Sequence, residues 1–476
     1  MTPQTPTPLA FWRADQSRKI SKRIVVEATL TLQTPAHFGN GDGSDTTDMP
    51  LLIDVAAGVP LLTGASIAGA LRACLVAAGA KEQDIVALFG ETKQSDEGVQ
   101  SALIVEDAFG ENFDIEVRDG VTLNAKSRTA QDGTLFNLET WRAGTSFTLR
   151  FQIVVGQNKR NTTPDEAALL KTLRDALAGF NNGAITLGAR KQRGYGRVQL
   201  THVRSKTFDL CSVDGLIDWI QHGNAPLAEN EMAFTLGNGL GAGFSIKATF
   251  ALDGSLLIRG PGSDAKVQPD MAQLHTYDPE SKSRQPVVTG TSLAGALRAR
   301  ALRIARLLAN NDDGIADPFV DQMFGKTSHA SHVRVEENLV KGAVTNLVQS
   351  RVAIDRFTGG ALESALFDEQ PAFGKGDTKV QVNVSLRKHD DMVAEAGMLL
   401  LLLKDLWTGD LPIGGEISVG RGRLKGIEAT ISQGGTTLAT LKQEKDGIGL
   451  NAVSPEDRKK LECFVDALKV KLQGGK

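Results

Sequence analysis

Across residues 24–32 apolar and polar side chains alternate with a period of two, and β-branched types are frequent, which predicts a half-buried strand. A glycine-rich stretch follows, and Thr63-Gly-Ala-Ser66 then opens a helix. The strand pattern returns at 147–155. Residues 163–180 carry apolar positions at helical spacing with acidic residues near the start, and Asn182-Gly183 ends that helix before a last strand beginning at Arg197. A second long helix is predicted at 390–407 and a short one at 213–221. A terminal helix is predicted at 454–472, where Ser454 and Asp457 form a capping-box start.

The pattern is written twice. The run from Pro60 to Arg72, Pro-Leu-Leu-Thr-Gly-Ala-Ser-Ile-Ala-Gly-Ala-Leu-Arg, returns from Pro286 to Arg298 as Pro-Val-Val-Thr-Gly-Thr-Ser-Leu-Ala-Gly-Ala-Leu-Arg. Gly194-Tyr-Gly-Arg197 returns as Gly420-Arg-Gly-Arg423, and both pairs of segments stand 226 positions apart. Between them, the run from Ser101 to Glu106 answers the run from Ser331 to Glu336. Separate motifs that keep one offset indicate a tandem duplication. The expected organisation is a first unit at 22–204, a linker at 205–230, a second unit at 231–432 and a C-terminal extension with a helix at 433–476. Within each unit the order is β-α-β-β-α-β with a long insertion, so the fold class is α+β, with two tandem ferredoxin-like (RRM-like) units.

Composition narrows the chemistry. With 53 Lys+Arg against 56 Asp+Glu the net charge is −3, so any polyanion must be met by local patches rather than by a global field. The three cysteines, Cys74, Cys211 and Cys463, are too scattered for a disulfide framework or a zinc cluster. The first 23 residues have no apolar signal-peptide core, and the apolar run at 398–403 is too short to span a bilayer. A cytoplasmic protein is expected. Glycine is over-used, at 50 of 476 residues, which implies much loop and close backbone approach.

Four groups of residues carry candidate chemistry. The segment containing Arg190, Lys191, Arg193, Tyr195 and Arg197 combines cations, a ring and glycines, as single-strand binding requires. Its repeat keeps the charge, at Arg421 and Arg423, without the ring. The Thr-Gly-x-Ser helix starts expose amide groups, so Ser66 and Ser292 are either phosphate contacts or N-caps. Arg72 and Arg298, farther along the same helices, are either phosphate contacts or residues of a solvated face. The acidic loop of Asp42, Asp45 and Asp48 either holds a divalent cation or is merely solvated. Gly325-Lys326-Thr327 is not a P-loop, because Val320 stands where the motif needs glycine. His37, His275, His329 and His332 have no carboxylate or thiolate companion at metal-site spacing.

Taken together, these segments resemble the RAMP superfamily, and in particular the repeated backbone subunit of type III CRISPR interference complexes. His37-Phe-Gly39 lies in a loop similar to the family's His-x-Gly-Gly. Asp48 stands at the spacing of the family's catalytic aspartate, Asp355-Arg-Phe-Thr-Gly359 resembles its thumb hairpin, and the Gly-x-Gly-Arg segments resemble its C-terminal glycine-rich loop. The family's Lys after Ser-x is replaced here by Ala68 and Ala294. A double-unit chain resembles the fused forms of the III-D branch. The resemblance implies inserted thumb hairpins, with Arg356 and Phe357 and their diverged counterpart Arg128 touching RNA. It implies a metal-dependent endoribonuclease, with Asp48 catalytic and acting with a divalent cation, Mg2+ or Mn2+, through the target phosphate. Asp264 and Asp270 both fit the second catalytic place. The implied partners are guide RNA, complementary target RNA, other RAMP subunits and the large subunit. Two rival functions remain: a non-catalytic RNA scaffold of the same complex, and a guide-precursor processing ribonuclease with a histidine base.

Overall fold

A computed structural model describes residues 20–41, 47–91, 98–124, 129–156, 165–237, 243–261, 269–444, 447–452 and 454–474. The first unit is built on β1 (Ile20–Leu32), α1 (Gly64–Ala77), α2 (Glu82–Phe89), β2 (Leu103–Val105), an inserted hairpin of β3 (Ile115–Gly120) and β4 (Phe136–Trp141), β5 (Ser146–Gly156), α3 (Glu166–Asn181) and β6 (Val198–Asp209). The main strands are ordered β6-β1-β5-β2 and all pair antiparallel. Numbered within the unit this is 4-1-3-2, the β-α-β-β-α-β arrangement expected from the pattern. The alternation in β1 turns Ile24, Val26, Ala28, Leu30 and Leu32 to one face, where they meet Phe147, Leu149, Phe151 and Ile153 of β5. Ile67, Leu71 and Leu75 of α1 and Leu169, Leu173 and Leu177 of α3 recur at one face of each helix and close that core.

The residues of the predicted linker pack on the first unit. β6 runs on to Asp209, α4 (Val213–His222) folds back, and β7 (Met232–Ala233) pairs with Ser205 and Arg204 of β6. Burial drives this: Val25, Phe208 and Leu227 form a second small core on the reverse face of the sheet, with Trp219 of α4 against it. Glu27, buried on that face, accepts from the Leu227 amide at 2.8 Å and pairs with Arg150, whose guanidinium also donates to the Ala225 carbonyl. Phe234 then enters the main core.

The second unit repeats the frame: β8 (Phe244–Asp253), β9 (Met271–Ala272), α5 (Gly290–Leu308), α6 (Asp313–Phe324), β10 (Val333–Val335), a hairpin of β11 (Gln349–Ile354) and β12 (Ala361–Gln370), β13 (Lys379–Leu386), α7 (Met392–Trp407) and β14 (Arg423–Gln433). Its strands run β14-β8-β13-β10, again 4-1-3-2. The C-terminal extension packs into the second unit. β15 (Thr436–Glu444) and β16 (Gly447–Ala452) widen the sheet, and α8 (Pro455–Leu472), capped by Ser454 as expected, buries Leu461, Phe464, Leu468 and Leu472 in the same core. Gly397 of α7 lets α8 approach: a Cβ there would stand 2.2 Å from the Phe464 carbonyl oxygen. Among the described residues no helix is long and apolar enough to cross a membrane.

Candidate nucleic-acid interface

The two hairpins fix the position of one aspartate each. In the first unit the Asn137 amide of β4 donates to Asp48 Oδ2 at 2.9 Å, the Asp48 amide donates to Asn137 Oδ1 at 2.9 Å, and Met49 bridges in parallel to Leu138. In the second unit the Asp368 amide of β12 donates to Asp270 Oδ2 at 2.8 Å, and Met271 pairs in parallel with Glu369. Asp48 and Asp270 therefore hold the same place at the second strand of their hairpins, and both side chains are exposed. Asp42, Asp45 and Asp264 lie outside the described residues. Glu139 steadies the first loop by accepting from the Leu51 amide and the Thr47 hydroxyl. His37 is buried and donates from Nδ1 to the Glu139 carbonyl at 2.8 Å, a structural role.

The hairpin of β11 and β12 ends in a tightly tied turn. Asp355 accepts from the Phe357 and Thr358 amides at 2.7 and 2.8 Å, bonds that hold its carboxyl below the usual range, and Gly359 takes φ +67°. This turn pushes Phe357 wholly into solvent, 100% exposed, beside an exposed Arg356. A ring so placed buries nothing in the chain and is available for stacking. The counterpart Arg128 lies outside the described residues.

The helix starts behave differently from the sequence expectation. The N-caps are Thr63 and Thr289, whose hydroxyl oxygens accept from the Ser66 and Ser292 amides, so neither serine is the cap. A thread of carboxylate already meets the first helix: the Gly64 amide donates to Asp107 Oδ1 at 2.7 Å, which satisfies one of the end groups a phosphate would use. Arg72 and Arg298 point to the ends of the following helices rather than outward. Arg72 donates to the Gly90 carbonyl at 2.9 Å; Arg298 donates to the Gly325 carbonyl at 2.7 Å and to Asp321 at 2.6 Å. Both are explained by helix C-terminal capping with a cation.

The cationic glycine loop of the first unit is the largest departure, because the second unit covers it. Tyr195 is 3% exposed and its hydroxyl is pushed up to about 12, chiefly by burial, so its ring has no open face for a base. Arg193 donates to the Phe324 carbonyl at 3.0 Å, Arg197 pairs with Glu336 at 2.8 Å, and Arg190 lies 4.4 Å over the Phe136 ring. Burial lowers the pKa of both Arg190 and Arg193. Of the five residues, Lys191 is the one left exposed. Gly194 makes the fit possible: at φ +89° it has no Cβ to strike the Glu337 amide nitrogen, which would lie 2.3 Å away. Beneath it, Arg118 bridges Glu116 at 3.0 Å and Glu337 at 3.2 Å, and Glu116 also accepts from the Thr276 hydroxyl and the Tyr277 amide.

The second copy of the loop is uncovered. A Cβ at Gly420 would meet nothing, and Arg423 is exposed. Arg421, however, is 3% exposed and turned inward onto Glu369 and Glu416, so it does not face a ligand. Sequence reasoning missed Glu116, Arg118, Glu336 and Glu337 as interface residues. The signal was present in the acidic pairs Glu106-Asp107 and Glu336-Glu337, which close the repeated β2 and β10 segments.

The sequence pattern that defines the RAMP superfamily matches residues 29–199 and again 274–425. No curated protein matches the chain. The first match takes in Asp48, the β3–β4 hairpin and most of the glycine loop, and the second takes in the β11–β12 hairpin and the second glycine loop, so the chain belongs to the RAMP superfamily, with one copy of its domain in each half.

Proposed function

We propose that this CRISPR-associated, RNA-binding RAMP protein supplies two adjacent backbone units of a type III interference complex and cuts complementary target RNA at Asp48 and Asp270. The observation that carries the reading is the shared geometry of these two aspartates. Each is exposed, and each is pinned by a backbone amide of the second strand of its hairpin. A carboxylate held in place by the fold, yet open to solvent, can ligate a hydrated divalent cation or orient a scissile phosphate without reorganising first. Mg2+ or Mn2+ fits an oxygen donor set of this kind. When bound, the cation would neutralise charge on the phosphate and lower the pKa of a bound water.

RNA contact in this reading comes from the outer surfaces. Phe357 at the hairpin tip separates or supports bases, while Arg356, Arg423 and Lys191 meet phosphates. Arg193 and Arg197 serve the junction between the units, while Arg190 lies over Phe136 within the first unit. Ser66 and Ser292 remain candidates for hydroxyl contacts at their helix starts. The test is to incubate the assembled complex with end-labelled complementary RNA, with and without chelator. Two cuts that disappear on chelation are expected; intact RNA in both arms would leave a scaffold.

A further inference from the structure

A partly buried cluster, found among the described residues in the second unit, has no part in the chemistry above. His332 precedes β10, His389 follows β13, and Glu395 lies in the first turns of α7. One ring nitrogen from each histidine and a Glu395 oxygen lie within 4.8 Å of one another. His332 Nδ1 is 2.8 Å from Glu395 Oε1, His389 Nε2 is 3.1 Å from Glu395 Oε2, and the two rings stack at 4.0 Å. At the matching place in the first unit stands Ala102, buried and without ligand atoms.

The proton count is what makes this cluster unusual. His389 Nδ1 lies 2.7 Å from the Arg387 carbonyl, which can only accept, so that nitrogen carries the ring's proton. Nε2 of the neutral ring therefore presents a lone pair to Glu395 Oε2, another acceptor. Both atoms are buried, and neither makes a hydrogen bond although they are 3.1 Å apart. Glu395 itself is 1% exposed. Two buried acceptors facing each other need a proton or a cation between them. One divalent cation would serve both rings and the carboxylate at once.

We propose that His332, His389 and Glu395 form a binding site for one zinc-class divalent cation per chain, which ties β10 and β13 to the start of α7. Two imidazoles and one carboxylate match zinc, cobalt or nickel, and not magnesium or calcium, which take oxygen ligands. Ligand atoms around tetrahedral zinc stand about 3.4 Å apart for bonds of about 2.0–2.1 Å, so the contacts present need to open by a few tenths of an ångström. The histidine side chains are 21% and 19% exposed, which leaves an entry path and room for a water as fourth ligand.

The test uses the full chain, stripped with chelator and then titrated with Co2+ as a spectroscopic probe and with Zn2+ followed by elemental analysis. Wild type should bind one equivalent, give the visible absorption of low-coordinate cobalt, and melt at a higher temperature with zinc than without it. His389→Ala and the shape-preserving Glu395→Gln should each weaken binding at least about tenfold, the loss that even outer-shell partners produce. His329→Ala should leave it unchanged. A wild-type chain that keeps no zinc after dialysis and gives no cobalt spectrum would overturn the proposal and leave the trio sharing a proton. So would equal binding by folded Glu395→Gln.

Discussion

Replacing Arg118 by Met tests how the two units are joined. Arg118 is 2% exposed and stands between Glu116 and Glu337, which are 4% and 6% exposed. Without it, Glu116 keeps the Thr276 hydroxyl and the Tyr277 amide as donors, whereas Glu337 loses its charge partner. Leaving a buried carboxylate uncompensated costs about 3–5 kcal/mol, which for a unit of this size is a fall of about 6–20 °C in melting temperature. The loss should depend on pH. Burial raises the Glu337 pKa and Arg118 opposes the rise, so the variant's value moves up further. A carboxyl whose folded pKa stands above its unfolded value of about 4.3 lends stability that is full below that pH and is lost as pH climbs through the folded value. The deficit of Arg118→Met should therefore widen from pH 5 to pH 8, and Arg118→Met/Glu337→Gln should recover most of it. Calorimetry at both pH values on wild type, the single variants and the double variant gives the measurement. A single-variant loss below about 1 kcal/mol, as for an exposed ion pair, or a deficit independent of pH, would refute the buried-bridge reasoning.

Phe357→Ala should leave folding untouched, since the ring contacts solvent alone, and should weaken guide RNA binding by roughly fivefold to 150-fold, the worth of stacking one base; unchanged anisotropy titrations would remove the hairpin tip from the interface. Gly397→Ala forces a methyl against the Phe464 carbonyl and should destabilise the second unit by about 1–3 kcal/mol, with faster hydrogen exchange across residues 455–472 than elsewhere.

The sheet-and-helix frames were legible because their information is local. Period two in β1 and helical spacing in α3 each declare a buried face, and a repeated helix start declares a second copy. Contacts between distant segments were not. Residues 205–230 read as a linker because nothing near them shows that Glu27 and Arg150 will anchor Leu227 and Ala225. The loop around Tyr195 read as RNA-binding because its cations are adjacent in sequence, while the groups that engage them, Glu336 and the Phe324 carbonyl, lie 139 and 131 residues away. Asp264 and Asp270 were equivalent on spacing, and the bond that Asp270 accepts comes from the Asp368 amide, 98 residues on. His332 lacked a carboxylate companion in sequence and finds one 63 residues later in Glu395.

The most direct measurement maps the cut positions on end-labelled target RNA in complexes carrying Asp48→Ala, Asp270→Ala or both. Each single variant should lose one product and keep the other, and the double variant should cut nowhere while still binding the target, because these carboxylates act on the scissile phosphate and add little to ground-state affinity. A product pattern unchanged by either substitution would contradict the assignment of the cleavage chemistry to this pair of aspartates.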